Sequence, residues 1–231
     1  MSPPAANPFL DPELAARFAD GAIALLRSAP TPEQVLDLAR TAIYYAEHCL
    51  AQLEEAQPLP RPVACAPGCD ACCFNQVELT APEALFLGSF LEARFSPAQR
   101  QALHQRAQQS LARRAGLSKT AAALHRAAFP CPLLQEHRCL AYEARPLACR
   151  AMHSLDAAAC YQELNDPLTP VVPFYSHRHI VYVSLSHGLA QVGRTFGLQA
   201  GPLDLTQAIL CLLDRPDAAV RWLMGERLFG E

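Results

Sequence analysis

Between Thr31 and Ala56 the apolar residues Val35, Leu38, Ala39, Ala42, Ile43, Ala46 and Leu50 recur at helical spacing, with polar residues between them. That spacing collects them on one face of an α-helix. The start of this helix is also written in the sequence. "TPEQ" at Thr31 offers a capping hydroxyl, a proline at the first helical position and a glutamine that reaches back. "SPAQ" at Ser96 repeats the arrangement, "TAPE" at Thr80 is a capping box with the proline one place later, and "DPE" at Asp11 opens in similar fashion. These signals predict helices over roughly 11–28, 32–56, 81–94 and 97–127, with Gly116 interrupting the last. Further helices are expected over roughly 178–197, 203–214 and 216–229, although "IVYVSL" (Ile180–Leu185) alone has the composition of a strand.

One stretch reads differently. "CPLLQEHRCLAYEARP" (Cys131–Pro146) reads as short strands, a hairpin turning at Gln135–Arg138, with a helix expected over roughly 147–164. The fold class is therefore mainly α: a helical domain with a small irregular or β-hairpin element that is rich in cysteine. No internal repeat is visible, and the Pro/Ala-rich first ten residues form the one low-complexity tract. The expected organisation is an N-terminal helical region (1–60) ending in the stiff connector "QPLPRP", a cysteine-bearing domain (61–165), and a C-terminal helical region (166–231) packing on the same domain.

Composition narrows the classes of function. Hydrophobic residues make up 51% of the 231 positions, enough for a sizeable core and against global disorder. A net charge of −3 gives no overall attraction to nucleic acid or an anionic membrane. The opening "MSPPAANPFLD" lacks the basic-then-apolar pattern of a secretory leader, and no apolar run is long enough to span a bilayer. The expected location is the cytosol, where thiols stay reduced. Ten cysteines in that setting point to metal or catalysis before disulfides.

Their spacing carries the chemistry. "CAPGCDACC" sets Cys65, Cys69, Cys72 and Cys73 close together. Cys69-x2-Cys72 is a chelate loop in which two intervening residues let both thiolates reach one ion, and Gly68 suits the tight turn before it. Cys131, Cys139, Cys149 and Cys160 complete a set of eight candidates. Cys49 and Cys211 sit inside helical patterns and read as core. Neighbouring side chains diverge, so adjacent Cys72 and Cys73 are most easily explained if each faces a different ion or one bridges two. The set therefore suggests zinc or iron, iron–sulfur included, with more than one ion per chain.

Nearby residues extend the picture. Cys149, His153, Asp156 and Cys160 would fall within about 60° on one face of an unbroken helix, unless Ser154 caps a new one. Eight thiolates on two divalent ions leave about four negative charges in excess, which is costly to bury. Arg138, Arg145 and Arg150 flank the late cysteines and are suited to donate N–H groups to sulfur.

Taken together, "CAPGCDACC", "CPLL…RCLAYEARPLACR" and "HSLDAAAC" resemble the YkgJ-like, CxxCxxCC cysteine-cluster family, a zinc- or iron-chelating domain. The likeness runs from about Val63 to Tyr161 and includes "VELTAPE" (Val77–Glu83). It implies metal binding, with the family's metal cysteines falling on Cys65, Cys69, Cys72, Cys73, Cys131, Cys139, Cys149 and Cys160. The first gap here is three residues, where the family name has two, and "AMH" (Ala151–His153) replaces an aromatic-Pro or Asn-containing segment. The resemblance assigns no reaction, although a flagellin-lysine methylase carries a similar cluster.

Competing readings are weaker. Cys65-x3-Cys69-x2-Cys72 has the spacing of the radical S-adenosylmethionine signature, but it lies between long helices and Ala71 stands at a place usually aromatic. A cysteine nucleophile would need a positioned base, and nothing supplies one. "SHRH" (Ser176–His179) reads as surface. The segment Ser96–Ala128 holds six Lys or Arg residues and no acid, as either a docking face or a solvated helix face. The expected function is a metal-binding cysteine-cluster protein. The alternatives are an open-site metal enzyme acting on a peptide or protein, and a redox or metal-trafficking module.

Overall fold

The structure, a computed structural model, describes residues 7–26, 30–166 and 172–230. The first six residues of the Pro/Ala-rich tract and the expected end of the first helix (27–28) lie outside them. Helices α1 (Pro12–Leu26), α2 (Pro32–Ala56), α3 (Ala81–Arg94) and α4 (Pro97–Arg114) begin where the capping signals place them. At α2 and α4 the caps are reciprocal. Thr31 accepts from Gln34 N–H while the Gln34 side chain accepts from Thr31 N–H, and Ser96 and Gln99 do the same. Gly116, at φ +79°, stops the next helical run, and a separate α5 (Lys119–Leu124) follows.

Helices α6 (Leu147–Ala151), α7 (Ala157–Asn165), α8 (Ser176–Thr195), α9 (Leu205–Asp214) and α10 (Ala218–Leu223) complete a mainly α fold. "IVYVSL" is helical, inside α8. Among the described residues the sheet content is two short antiparallel pairs. β2 (Leu134–Gln135) and β3 (Arg138–Cys139) form the expected hairpin, with Gln135 opposite Arg138. In the other pair, β1 (Glu78–Leu79) meets β4 (Leu203–Asp204), and β4 takes the first two residues of the helix expected over 203–214.

Two apolar clusters hold these elements. One gathers α3, α4 and α9 with Leu133, Ala141, Trp222 and Phe229, and Cys131 and Cys139 pack against its edge. The other joins α1, α2 and α8 to Leu147 and Ala151 of α6. Gly188 lets α1 and α8 approach closely, because a Cβ there would stand 2.8 Å from the Ala15 carbonyl oxygen. Each cluster thus touches a cysteine-bearing segment, the first through the hairpin and the second through α6.

Four of the six cations in the acid-free segment meet partners within the chain. Arg106 donates to the Pro132 carbonyl (2.9 Å), next to Cys131. Arg114 pairs with Asp204 (2.9 Å) and also binds Gln76, Lys119 pairs with Glu78 (2.7 Å), and Arg126 with Glu163 of α7 (3.0 Å). They brace the cysteine-bearing loops from one side. No described helix is long and apolar enough to cross a membrane.

Candidate metal centre

Proline-rich chain leads into the first cysteines and is fixed by Ala64 N–H donating to the Ser154 carbonyl (2.8 Å). Gly68 takes φ +90°, a left-handed conformation that L side chains resist, and Cys69 N–H closes the turn on the Ala66 carbonyl (3.0 Å). A 3₁₀ turn, Ala71–Phe74, then presents Cys72 and Cys73. Cys131 N–H donates to the Cys73 carbonyl (2.8 Å), which stitches the first cysteine stretch to the second.

Buried carboxylates align the remaining pieces. Asp70 accepts from the Tyr161 hydroxyl of α7 (2.9 Å) and pairs with the His137 ring (2.8 Å) at the hairpin tip. Glu136 and His137 both have positive φ, at 49° and 60°, which costs non-glycine residues about 1–2 kcal/mol each. The Asp70 contact offsets part of that cost. Glu83 accepts from Thr80 N–H (2.8 Å) and hydroxyl (2.7 Å), Leu147 N–H (2.7 Å) and Ser186 hydroxyl (3.3 Å). It thereby fixes the start of α6, two residues before Cys149. Burial pushes the Glu83 carboxyl above its ordinary pKa despite those donors.

The result is one cavity of 640 Å³ whose wall includes Cys65, Cys69, Cys72, Cys73, Cys131, Cys139 and Cys149. Cys160, on α7, is off that wall but close enough to Cys65, Cys69 and Cys72 for their charges to interact. Cys49 and Cys211 lie elsewhere, against the two apolar clusters. Among the described residues no three His, Cys, Asp or Glu side chains are already arranged to hold an ion. An all-thiol donor set suits zinc and iron alike.

The thiols fall into two neighbourhoods. Cys73, Cys131, Cys139 and Cys149 interact electrostatically with Cys72 at the buried end. Cys65, Cys69 and Cys160 interact with one another toward the mouth, where Cys65 is exposed, and Cys69 and Cys160 interact also with Cys72. Cys72 belongs to both. Burial pushes the Cys131 thiol up to about 12 and raises Cys69, Cys139, Cys149 and Cys160 as well. Such groups ionise readily only when a cation arrives.

Cys72 and Cys73 act on each other in the tight turn, Cys72 being lowered in pKa and Cys73 raised. One expectation needs correction. Cys149, His153, Asp156 and Cys160 do not share a helical face. The chain leaves the helix after Ala151, Ser154 donates to and accepts from the Asp156 backbone, and the Asp156 carboxylate caps α7. His153 spends both ring nitrogens on backbone, at the Ala151 carbonyl (2.9 Å) and Tyr175 N–H (2.9 Å), and burial lowers its pKa. It is a structural histidine. Asp70 and Tyr161 are the supports that sequence reasoning missed, since nothing in "CDACC" marks Asp70 as buried.

A helical protein with a thiol-walled cavity between short loops is what fold and site define. Residues 64–166 match the model of the CxxCxxCC family, described as "Putative zinc- or iron-chelating domain". The likeness seen in the motifs is thereby shown for a segment somewhat short of half the chain. No curated protein and no solved structure matches the chain.

Proposed function

We propose that the chain binds zinc or iron through Cys65, Cys69, Cys72, Cys73, Cys131, Cys139, Cys149 and Cys160 as a two-lobed, multi-ion thiolate centre with Cys72 shared. The observation that carries this reading is the convergence of seven of these cysteines, distant in sequence, on one cavity wall. Cys160 joins the outer lobe through its charge contacts. Bound metal would supply cross-links between loops that have little apolar core of their own, and iron would add redox chemistry. The protein's residues supply the rest: Asp70 and Glu83 hold the loops in register, and the surrounding apolar walls exclude water. A site of free thiols fits a reducing compartment such as the cytosol.

The volume of the cavity favours a second reading. Two ions need far less than 640 Å³, and pockets that hold small molecules run to about 300–1,000 Å³. An open site that admits a small molecule or a peptide side chain is therefore the alternative, an enzyme instead of a chelator. Exposed Cys65 at the mouth would equally let a chelator or partner take the outer ion, as in a trafficking module.

Metal content of cysteine variants tests the assignment. Cys69→Ser and Cys72→Ser should each lose metal, Cys72→Ser the more because it serves both lobes. Cys49→Ser and Cys211→Ser should retain the full amount. Equal loss across the four variants would defeat the division.

A further inference from the structure

Of the three arginines flanking the late cysteines, two are accounted for. Arg150 pairs with Glu47 (2.9 Å) and donates to the Arg145 and Glu143 carbonyls (3.0 and 2.7 Å). Arg138 is exposed on the hairpin at the cavity rim. Arg145 is different. Its side chain lines the cavity, and no ion pair with an acid is found for it among the described residues. Its Nε is buried without a hydrogen-bond partner. Arg114 and Arg126 also bury an unpartnered Nε, but each has a carboxylate on its terminal nitrogens.

The side chain is nonetheless held in place. Its guanidinium lies 3.7 Å from the centre of the Tyr142 ring, a cation–π contact. Pro146 restricts Arg145 to extended backbone, observed at φ −58° and ψ 133°, and the Arg145 carbonyl is pinned by Arg150. A second cation, Arg150, sits close enough to repel it. Arg150 has Glu47 beside it, but Arg145 has no acid of its own, and holding its charge rigidly in the cavity is unfavourable unless negative charge faces it. The groups that face it are thiols: Cys72, Cys139 and Cys149 all lie within its field.

We infer that Arg145, clamped on the Tyr142 ring, is the positioning residue that balances the charge of the buried thiolate lobe and donates N–H groups to its sulfurs. The inference rests on the thiolate centre proposed above. Arg145 does not ligate; it lowers the cost of holding several thiolates in a low-dielectric pocket. The lobe at the mouth, open to water, needs no such partner. Loss of Arg145 should therefore weaken the buried ion more than the outer one, which it reaches only through the shared Cys72.

Zinc titration of the full-length chain against a chromophoric chelator, without oxygen, tests this. Arg145→Gln should weaken the ion bound by Cys73, Cys131, Cys139 and Cys149 by roughly tenfold or more, with the outer ion, which meets Arg145 only through the shared Cys72, weakened less. Arg145→Lys keeps the charge and should recover most of the loss, which a merely structural role would not predict. In the cobalt-loaded protein the thiolate charge-transfer band should shift in Arg145→Gln and return toward its position in Arg145→Lys. Should Arg145→Gln fail to fold, Tyr142→Leu decides: it frees the guanidinium on an exposed side, and an intermediate weakening of the same ion is expected. Unchanged affinity in Arg145→Gln or Tyr142→Leu, or equal loss in Gln and Lys variants, overturns the inference while leaving the centre intact. A wild-type chain that binds no zinc, cobalt or iron overturns both.

Discussion

The bundle of α1, α2 and α8 and the cysteine-bearing loops are built on different physical terms. In the bundle, long helices satisfy their own backbone, and Leu38, Ala42, Leu185 and Leu189 are removed from water against one another. The cysteine element has 3₁₀ turns, two-residue strands and a five-residue helix, none able to persist alone. Its order comes from polar ties at Asp70, Glu83 and Ser154. On the proposed reading the bundle stands without a ligand, while the loops draw on the bundle for position and on metal for stability.

Metal removal should separate the two regions most sharply. Chelation is expected to speed amide exchange across 64–76 and 131–161 by about a hundredfold or more, while α2 and α8 keep their protection. Uniform loss of protection would show that the two regions melt together. A core truncation should do the reverse. Leu185→Ala, at a fully buried position in α8, should cost about 2–5 kcal/mol in denaturant unfolding yet leave metal stoichiometry unchanged.

Smaller effects test the joints between the regions. Asp156→Ala removes the cap of α7, and should cost about 1 kcal/mol and loosen Cys160 before any other cluster thiol. Differential alkylation reads that order directly. The smallest effect is that of pH. Burial depresses the His153 and His179 pKa values below 6.5, so the folded state prefers neutral rings. Their contribution is fully present above pH 6.5 and is lost as pH falls through the lowered folded values. A metal-free chain should show this slope, and His153→Gln should flatten it.

Much of the bundle was legible because its signals are local. Capping residues at Thr31, Thr80 and Ser96 and the Gly116 stop act within a few positions of themselves. The β1–β4 pair was not, because Leu79 meets Leu203 across the whole chain and two residues carry no period. The helix expected over 147–164 broke for a reason that was visible but underweighted, a Ser-x-Asp turn that competes with helix. The helix expected over 216–229 ends at Leu223, just before Gly225 takes φ +86°. At the site, donor types and spacing were readable. The burial of Asp70 and the isolation of Arg145 arise only when distant segments meet.

Metal and free thiol counted on the same oxygen-free preparation test the central claim most directly. Elemental analysis should find more than one zinc or iron per chain, while a native thiol titration detects only the two cysteines outside the cluster, Cys49 and Cys211. A single ion per chain, with four or more cluster thiols titrating freely, would contradict the shared two-lobed centre.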